Sequence, residues 1–263
     1  MPVIDLDAAR VGLEAAVREA AQAILDVVAG GQMQVRQKRR WEGPVTDADH
    51  AADDVLHQRL MPLIPGAHWL SEESKQDTPL LHGEPTWIVD PLDGTREFVL
   101  GIPEYGVTVG LFVDDQLVLG ALALPTEGVV LSGLIDGERR EARRDGVAMI
   151  SLGAGPIGRV VVSRNDYERR RIQLHIPWEV YPCGSSAMKL AHAADGSADV
   201  YFSTGPRSIW DIAGGVAVLR AAGGEVLGVD GEPLALSPQQ QGVPAFVAGR
   251  IDACRELLTL IRR

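Results

Sequence analysis

The chain has 263 residues, a formal net charge of −11 and a hydrophobic fraction of 46%, enough for one large domain or two packed halves. The acidic balance argues against general nucleic-acid binding, because contact with the phosphate backbone needs a basic face. No segment approaches the ~18 consecutive apolar residues of a membrane span. The segment Met1–Gly30 lacks the basic flank and apolar centre of a signal peptide. We therefore expect a cytoplasmic protein without a membrane partner.

The cysteine and histidine patterns argue against two further kinds of site. Cys183 and Cys254 lie far apart without CxxC spacing, which favours two buried, reduced thiols. The six histidines are scattered and form no HExxH motif, so a zinc site is not expected.

Two helices are predicted in the first part of the chain. Apolar residues at helical spacing over 6–30 predict a packing helix. Thr46 or Asp47 can cap a second helix that runs to about Leu63. Asp49 lies among several acids in the first two turns of this helix. Some of these acids favour the helix dipole, and one can have another role.

Two adjacent glutamates follow the next predicted element. Residues Ala67–Leu70 predict a strand that leads toward Glu72 and Glu73. Adjacent residues in an extended chain face opposite sides. We therefore expect one glutamate to point into a site and the other away from it.

The stretch that follows carries the most informative pattern. The short apolar run Trp87–Val89 predicts a buried strand that ends where Asp90 begins. Pro91 forces a turn between Asp90 and Asp93, so both carboxylates can bend toward one point. Gly94 permits close backbone approach, and the N–H groups of the helical turn after it can bind an anion. This arrangement suggests cations and a phosphate.

The remaining elements predict a mixed α/β protein in two halves. Apolar and alternating runs over 105–134 predict an antiparallel meander, and the charged segment Gly137–Gly146 ends the first half. Strands and helices then alternate to the C-terminus. We expect an N-terminal half, residues 1–146, with most acidic motifs and the antiparallel sheet. The C-terminal half, residues 147–263, would be α/β and carry the last acidic motif.

That last motif is Asp211, in the first turn of an apolar helix predicted over Ser208–Ala222. Trp210 precedes it and small residues follow, which suggests close packing with the carboxylate at the helix start. Each acidic pattern alone has a simpler explanation. Asp211 could be an ordinary N-terminal charge, and D-P-x-D-G is also typical of surface turns.

Four pieces together are more specific than any one of them: Asp49, Glu72-Glu73, Asp90–Thr95 and Trp210–Ala213. In order and rough spacing they resemble the signature of the inositol monophosphatase superfamily, which comprises magnesium-dependent, lithium-sensitive phosphomonoesterases. The resemblance implies an α/β fold with mixed sheets, layered as the αβαβα sandwich of the inositol monophosphatase and fructose-1,6-bisphosphatase type. It also implies a site between two halves, two or three Mg²⁺ ions per site, and a homodimer.

The resemblance also implies the metal ligands. Asp90 would bridge two Mg²⁺ ions. Glu72 and the Leu92 carbonyl oxygen would complete the coordination of one ion. Asp93 and Asp211 would complete that of the other. Oxygen ligands without histidine or cysteine suit hard, octahedral magnesium, which activates water and stabilises charge on a leaving oxygen.

The catalytic groups follow from the same resemblance. The Thr95 hydroxyl and Asp49 would orient the attacking water and help to deprotonate it, with Glu72 near the same ion. Glu73 would be the outward partner of Glu72. The backbone N–H groups of Gly94 and Thr95 would hold phosphate oxygens at the helix start.

Within the superfamily, several sequence features resemble those of the bisphosphate nucleotidases, which remove a phosphate from 3′-phosphoadenosine 5′-phosphate. These features are Thr95–Phe98, Val162–Arg164, Gly184–Ser186 and Gly205-Pro206. Inositol phosphatases typically keep a glutamate shortly before the Trp-Asp pair to hold inositol hydroxyls, and Ser203-Thr204 occupy that neighbourhood here. We therefore predict a small anionic phosphate ester as the substrate, with the nucleotide bisphosphate leading.

Five residues are candidates for contact with such a substrate. We predict that Gly184, Ser185 and Ser186 bind the second phosphate or the ribose at a helix start, together with Arg164 or Arg207. These arginines could equally be solvated surface groups.

Two alternative functions stay open. One is a phosphatase for inositol, histidinol or sugar phosphates on the same metal site. The other is a catalytically silent binding protein, although every predicted metal-ligating side chain is a carboxylate. Relatives commonly carry an acidic residue where Trp41 stands, between a lysine and Pro44–Thr46. Arg39 stands near that lysine position, so a third, weakly held ion would be arranged differently.

Overall fold

The computed structural model describes residues 4–31, 33–37, 43–74 and 80–262. The predicted departure at Arg39 and Trp41 lies outside these residues. In the described part the helices are α1 (Leu6–Gly30), α2 (Asp47–Leu60), α3 (Thr95–Val99), α4 (Arg164–Glu168), α5 (Ser186–Asp195), α6 (Ile209–Ala221) and α7 (Ile251–Ile261). The strands are β1 (Val35–Gln37), β2 (Pro44–Thr46), β3 (His68–Ser71), β4 (Thr86–Asp93), β5 (Gly106–Val113), β6 (Gln116–Leu124), β7 (Val129–Asp136), β8 (Arg139–Arg144), β9 (Val147–Ala148), β10 (Arg159–Ser163), β11 (Glu179–Cys183), β12 (Val200–Ser203), β13 (Arg207–Ser208), β14 (Glu225–Gly228), β15 (Gly242–Val243) and β16 (Phe246–Gly249).

Two large sheets alternate with helices in five layers. β3 to β9 form a seven-stranded sheet in sequence order, with β3 and β4 parallel and the other neighbours antiparallel. A five-stranded mixed sheet has the order β11-β10-β12-β16-β14. α1 and α2 cover the outer face of the large sheet, α5 and α6 lie between the sheets, and α7 covers the outer face of the small one. The predicted α/β fold with mixed sheets is confirmed.

Side chains on the two faces of each sheet pack into different hydrophobic cores. In β4, Trp87 and Val89 pack with α1 and α2, whereas Ile88 between them packs with α5 and α6. In β10, Val161 faces the same inner layer, and Val160 packs with α7. Because successive residues of a strand face opposite sides, a continuous apolar run serves two layers at once.

Helix α6 lies unusually close to the large sheet because both surfaces are built from small residues. Gly110, Gly120 and Gly133 of three neighbouring strands face the helix. A Cβ atom on Gly120 would stand 2.4 Å from the Gly214 carbonyl oxygen, and one on Gly133 would stand 2.6 Å from the Ala217 carbonyl oxygen. This backbone-to-backbone contact fixes the start of α6 above the sheet.

The sequence placed the end of β4 too early. The strand was expected to end before Asp90, but it continues to Asp93 with an irregular register to β5 between the two aspartates. The predicted turn is therefore a bulge within a strand, which re-aims side chains without ending the pairing. Gly94 follows at φ 94°, and a Cβ atom there would meet the Glu104 carbonyl oxygen at 2.6 Å.

The predicted meander is confirmed by β5, β6 and β7. The charged segment Gly137–Gly146 extends the same sheet as β8, and β9 adds a further edge strand. The chain then enters the small sheet at Arg159. The division into halves at residues 146 and 147 stays a prediction. In the part of the chain that the structure describes, no helix is both long and apolar enough to cross a membrane.

We predict that Gly120→Val destabilises the protein by about 3 kcal/mol or more, because the added side chain would force α6 away from the sheet. Gly30→Ala is the matched control, since a Cβ atom on Gly30 has no neighbour within 4 Å. Urea denaturation measures both free energies of unfolding. Equal values for the two variants would contradict the close contact.

Candidate active site

Three carboxylates meet where β3, β4 and α6 come together. Glu72, Asp90 and Asp211 each offer an oxygen atom that lies within 4.8 Å of the others. β3 and β4 are parallel, with Ser71 beside Val89, so Glu72 and Asp90 leave the same edge of the sheet. Asp211 is the third residue of α6, and its Oδ2 accepts the Ser208 N–H at 3.2 Å. Parallel pairing and the position of α6 therefore assemble the group from three distant segments.

Asp93 lines the same cleft but is held from the other half of the chain. Its Oδ2 accepts the Ser185 hydroxyl at 2.5 Å and the Ala187 backbone N–H at 2.7 Å. The Leu92 backbone N–H donates to Asp90 Oδ1 at 3.0 Å. The structure thus brings the five predicted metal-ligating residues to one cleft, and Asp93 lies outside the closest group of three.

The Thr95 hydroxyl links this cleft to α2. Thr95 Oγ1 lies 3.0 Å from Asp49 Oδ1 and 2.9 Å from the Leu92 carbonyl oxygen, and its single proton can serve one of them at a time. Asp49 Oδ2 accepts the Thr46 N–H at 2.7 Å and the Thr46 hydroxyl at 2.6 Å. Asp49 is buried and does not line the cleft, so it acts on the cleft through Thr95.

Burial and mutual repulsion disfavour the charged forms of these acids. Burial, with added repulsion from Glu72 and Asp93, raises the pKa of Asp90 well above its usual value. Burial and the same two neighbours raise the pKa of Asp211 to about 8. Burial also raises the pKa of Asp93, although Lys189 and the Ser185 hydroxyl oppose the shift.

The donor set fits a hard divalent cation. Carboxylate oxygens form the closest group, and Leu92 lines the cleft with them. Such oxygen donors are the ligands that Mg²⁺ and Ca²⁺ prefer, whereas zinc and copper sites usually include nitrogen or sulfur. A cation would also relieve the repulsion among the acids.

The two glutamates separate as the sequence predicted. Glu72 lines the cleft, and Glu73 does not. The Glu73 backbone N–H donates to Ser71 Oγ at 3.3 Å. Gly94 and Thr95 also line the cleft at the start of the five-residue helix α3, and their predicted contact with phosphate stays a prediction.

The structure places the Ser185 side chain behind the cleft, and its predicted contact with substrate stays a prediction. Its side chain is fully buried, and its hydroxyl donates to Asp93 and accepts the Met188 N–H at 3.0 Å. Gly184 and Ser186 line the cleft beside it. The start of α5, where we predicted a second phosphate, therefore already donates backbone and side-chain hydrogen bonds to Asp93.

A buried lysine holds the loop that carries Ser185. Lys189 is fully buried, and its Nζ donates to the carbonyl oxygens of Cys183 and Gly184, each at 2.9 Å. The ammonium group also lies 5.2 Å from the centre of the Tyr201 ring. Sequence reasoning missed this residue, because a lysine within a helix normally signals an exposed face.

Arginines also line the cleft, which has a volume of about 740 Å³. Arg164 is the more constrained of the two predicted arginines. Its Nη2 lies 2.5 Å from Glu104 Oε2, its Nε lies 3.9 Å from Glu97 Oε1, and its Nη1 lies 3.8 Å from Glu168 Oε1. Arg207 donates through Nε to the Tyr201 hydroxyl at 3.2 Å and lines the cleft with Asp211.

Arg170 is a cleft residue that the sequence did not single out. Its Nη1 contacts Thr204 Oγ1 and lies 3.4 Å from Asp166 Oδ1. Asp166 is buried, and its Oδ2 accepts the Ser163 hydroxyl at 2.7 Å. Just over half of the Arg170 side chain stays exposed, at 54%. The charge therefore faces the cleft while a buried carboxylate orients it. Three consecutive arginines in a loop gave no signal to separate Arg170 from its neighbours.

Comparison with known proteins identifies relatives along most of the chain. The 3′(2′),5′-bisphosphate nucleotidase CysQ of Escherichia coli K12 is 31% identical over 226 residues, which cover 85% of this chain and 92% of the relative. Inositol monophosphatase 2 of Mus musculus is 31% identical over 207 residues, which cover 73% of this chain and 70% of the relative.

Solved structures share the fold. Inositol monophosphatase from Anabaena sp. PCC 7120 matches with a TM-score of 0.79 and 22% identity, over 98% of this chain and 96% of that one. A structure described as an IMPase/NADP phosphatase complexed with Mg²⁺ and phosphate matches with a TM-score of 0.75 and 19% identity, over 92% of this chain and 90% of that one.

The fold and these relatives define a phosphatase. More specifically, the chain belongs to the inositol monophosphatase family, whose model matches residues 5–254. The superfamily and the class of enzyme predicted from the four acidic motifs are both confirmed.

We predict that the folded protein in EDTA loses stability as the pH rises from about 5 to about 8. Because the pKa of Asp211 is raised to about 8, the folded chain keeps a proton there that the unfolded chain releases near pH 4. The slope from this group is at most about 1.4 kcal/mol per pH unit. Asp211→Asn should remove the contribution of this group to the pH dependence of stability. Mg²⁺ should reduce the pH dependence of the wild type.

Thermal unfolding at several pH values, in EDTA and in Mg²⁺, measures these slopes. Asp54→Asn is the control, because Asp54 is an exposed acid on α2. A wild-type slope in EDTA equal to that of Asp211→Asn would contradict the repulsive cluster.

Proposed function

We propose that this phosphatase removes the 3′-phosphate of a nucleotide 3′,5′-bisphosphate, with 3′-phosphoadenosine 5′-phosphate as the leading substrate. The observation that carries the proposal is that one cleft is lined both by carboxylates suited to cations and by several arginines. A substrate with two separate phosphates can present one phosphate to the cations and the other to the guanidinium groups. The likeness to CysQ bisphosphate nucleotidase over 85% of the chain supports the same choice.

We assign the acidic part of the cleft lining to Mg²⁺, with two or three ions held by Glu72, Asp90, Asp93, Asp211 and the Leu92 carbonyl oxygen. The fit of these oxygen donors supports the assignment, and so does the neighbour solved with Mg²⁺ and phosphate. When bound, Mg²⁺ supplies activation of a water molecule and stabilisation of the charge that develops on phosphate and leaving oxygens.

Thr95 and Asp49 prepare the water for attack. Thr95 Oγ1 lines the cleft 3.0 Å from Asp49 Oδ1, so the hydroxyl can accept a hydrogen bond from water while it donates its own proton to Asp49. Thr46 holds the second oxygen of Asp49, which keeps Oδ1 aimed at Thr95. A proton released by the water thus has a path of two hydrogen bonds to a buried carboxylate.

Arg170 and Arg207 would hold the second phosphate. Both line the cleft, and each is oriented by a buried partner, Asp166 for Arg170 and Tyr201 for Arg207. Planar guanidinium groups bind phosphate oxygens through charge-assisted hydrogen bonds. Arg164 contributes less, because Glu104 already takes its Nη2.

An inositol monophosphate is the second candidate substrate. The 31% identity to inositol monophosphatase 2 favours it. Against it stands Thr204, which lies near the place of the glutamate that the resemblance assigns to inositol hydroxyls. Thr204 donates to buried Asp166 and contacts Arg170 instead. Lithium sensitivity and a homodimer rest on the family resemblance and belong to this proposal, as does the cytoplasmic location expected from the sequence.

The test of substrate is phosphate release with Mg²⁺ from 3′-phosphoadenosine 5′-phosphate, inositol 1-phosphate and histidinol phosphate, each with and without lithium. We expect selective turnover of the nucleotide and inhibition by lithium. Asp90→Asn should abolish turnover of all three while the circular dichroism spectrum is retained. Preference for inositol or histidinol phosphate would reject the nucleotide as substrate and leave the metal assignment in place.

We predict that Thr95→Val lowers kcat by about 100-fold or more, because the variant keeps the shape of threonine but loses the proton path. KM for the nucleotide should change little. Thr95→Ser is the control and should retain most of kcat, since it keeps the hydroxyl. Steady-state kinetics measure both constants, and an unchanged kcat for Thr95→Val would reject the role of Thr95.

We predict that Arg170→Ala and Arg207→Ala each lower kcat/KM for 3′-phosphoadenosine 5′-phosphate by about 10-fold or more. The value for 3′-AMP should change little, because this substrate lacks the 5′-phosphate. Arg255→Ala removes an exposed arginine on α7, outside the cleft, and is the matched control. Equal losses on both nucleotides would contradict a second-phosphate contact.

A further inference from the structure

Asp53 is a buried acid on α2 that the proposed mechanism does not use. It lies one helical turn after Asp49 on the same face, and it is only 9% exposed. A carboxylate is stabilised by the helix dipole only in the first turn. Asp53 is the seventh residue of α2 and lies beyond that turn. Asp53 does not line the cleft. A charge buried in this way is costly unless a partner compensates for it.

Its partner is Ser71, the last residue of β3. The Ser71 hydroxyl donates to Asp53 Oδ1 at 2.6 Å, and the Ser71 side chain is also buried. Ser71 Oγ in turn accepts the Glu73 backbone N–H at 3.3 Å. A hydroxyl has one proton, so donation to Asp53 turns its lone pairs toward Glu73. The carboxylate thereby sets the direction of both hydrogen bonds.

These two bonds bracket Glu72. Before it, Ser71 pairs with Val89 in the parallel ladder, and the Glu72 N–H donates to the Val89 carbonyl oxygen at 3.1 Å. After it, the Glu73 N–H is held by Ser71 Oγ. The backbone on both sides of Glu72 is therefore fixed, and the bond on the C-terminal side depends on Asp53.

We propose that Asp53 is a positioning residue that places the Glu72 carboxylate for cation binding. The inference rests on the proposed role of Glu72 in that site. Under this proposal, α2 positions two parts of the site. Asp49 reaches Thr95, and Asp53, four residues later, reaches the turn that carries Glu72. One rigid helix face thus sets the distance between the proton path and the metal-binding carboxylates.

The test compares Asp53→Ala, Asp53→Asn and Ser71→Ala with the wild type. Asp53→Asn keeps Oδ1 as an acceptor for Ser71, whereas Asp53→Ala removes it. Ser71→Ala breaks the same hydrogen bond from the other side and leaves α2 unchanged, which keeps the test valid should Asp53→Ala fail to fold. Asp54→Ala removes an equal charge from an exposed neighbouring position and is the matched control.

The readout is Mg²⁺ affinity, measured by isothermal titration calorimetry and by the rise of Tm with Mg²⁺ concentration. We expect Asp53→Ala and Ser71→Ala to weaken Mg²⁺ binding about 10-fold or more, as is usual when a residue that orients a metal ligand is lost. Asp53→Asn should stay within about 3-fold of the wild type, and Asp54→Ala should match it. The Mg²⁺ concentration for half-maximal turnover should shift in parallel.

A lower Tm in EDTA with unchanged Mg²⁺ affinity, for Asp53→Ala or Ser71→Ala, would overturn the proposal, because it would show a purely structural role. Equal weakening by Asp53→Asn and Asp53→Ala would also overturn it, because charge rather than the hydrogen bond would then matter. Failure of the proposed function would look different. The wild type would then bind Mg²⁺ without releasing phosphate from any of the three esters, while the ranking of the variants by affinity could still be measured.

Discussion

Mutual repulsion among crowded carboxylates, which are buried or half-buried, is the constraint on which the rest of this structure depends. Glu72, Asp90 and Asp211 come from β3, β4 and α6, and their oxygens lie within 4.8 Å of one another. Water cannot solvate such a group well, so burial raises the pKa of Asp90 and Asp211. Tight packing of the surrounding elements is needed to hold these acids together. The close backbone contact between α6 and the large sheet, at Gly120 and Gly133, provides that packing.

The packing around the site is reinforced by polar side chains that do not themselves line the cleft. Asp49 holds Thr95 from α2, and Asp93 is held by Ser185 from the start of α5. Lys189 lies behind that start and fixes the carbonyl oxygens of its loop. The site is therefore joined to both halves of the chain. A preorganised site of this kind avoids reorganisation when charge develops on the substrate, which is the main source of electrostatic catalysis.

Under the proposed function, substrate choice depends on a second set of charges. Two arginines of the cleft are paired with acids, Arg164 with Glu104 and Arg170 with buried Asp166. Such pairing fixes guanidinium groups in one orientation and leaves donors for a ligand in the case of Arg170 and Arg207. The pairing of Arg164 could not be predicted from local sequence. Its charge was visible in the sequence, but Glu104, which accepts the hydrogen bond from its Nη2, lies 60 residues away in the chain.

By itself the sequence determined the family, the α/β class and the antiparallel meander, and it predicted oxygen ligands for a cation. The family follows from the resemblance of four motifs taken together. The class and the meander follow from local patterns, since strand alternation and turn residues act over a few positions. Tertiary structure decided that β4 continues through its bulge to Asp93, that the Ser185 hydroxyl donates to Asp93, and that the Ser71 hydroxyl donates to Asp53. The reason is physical. Each outcome depends on which element packs against which, and hydrogen bonds between distant segments have no period or spacing in the sequence.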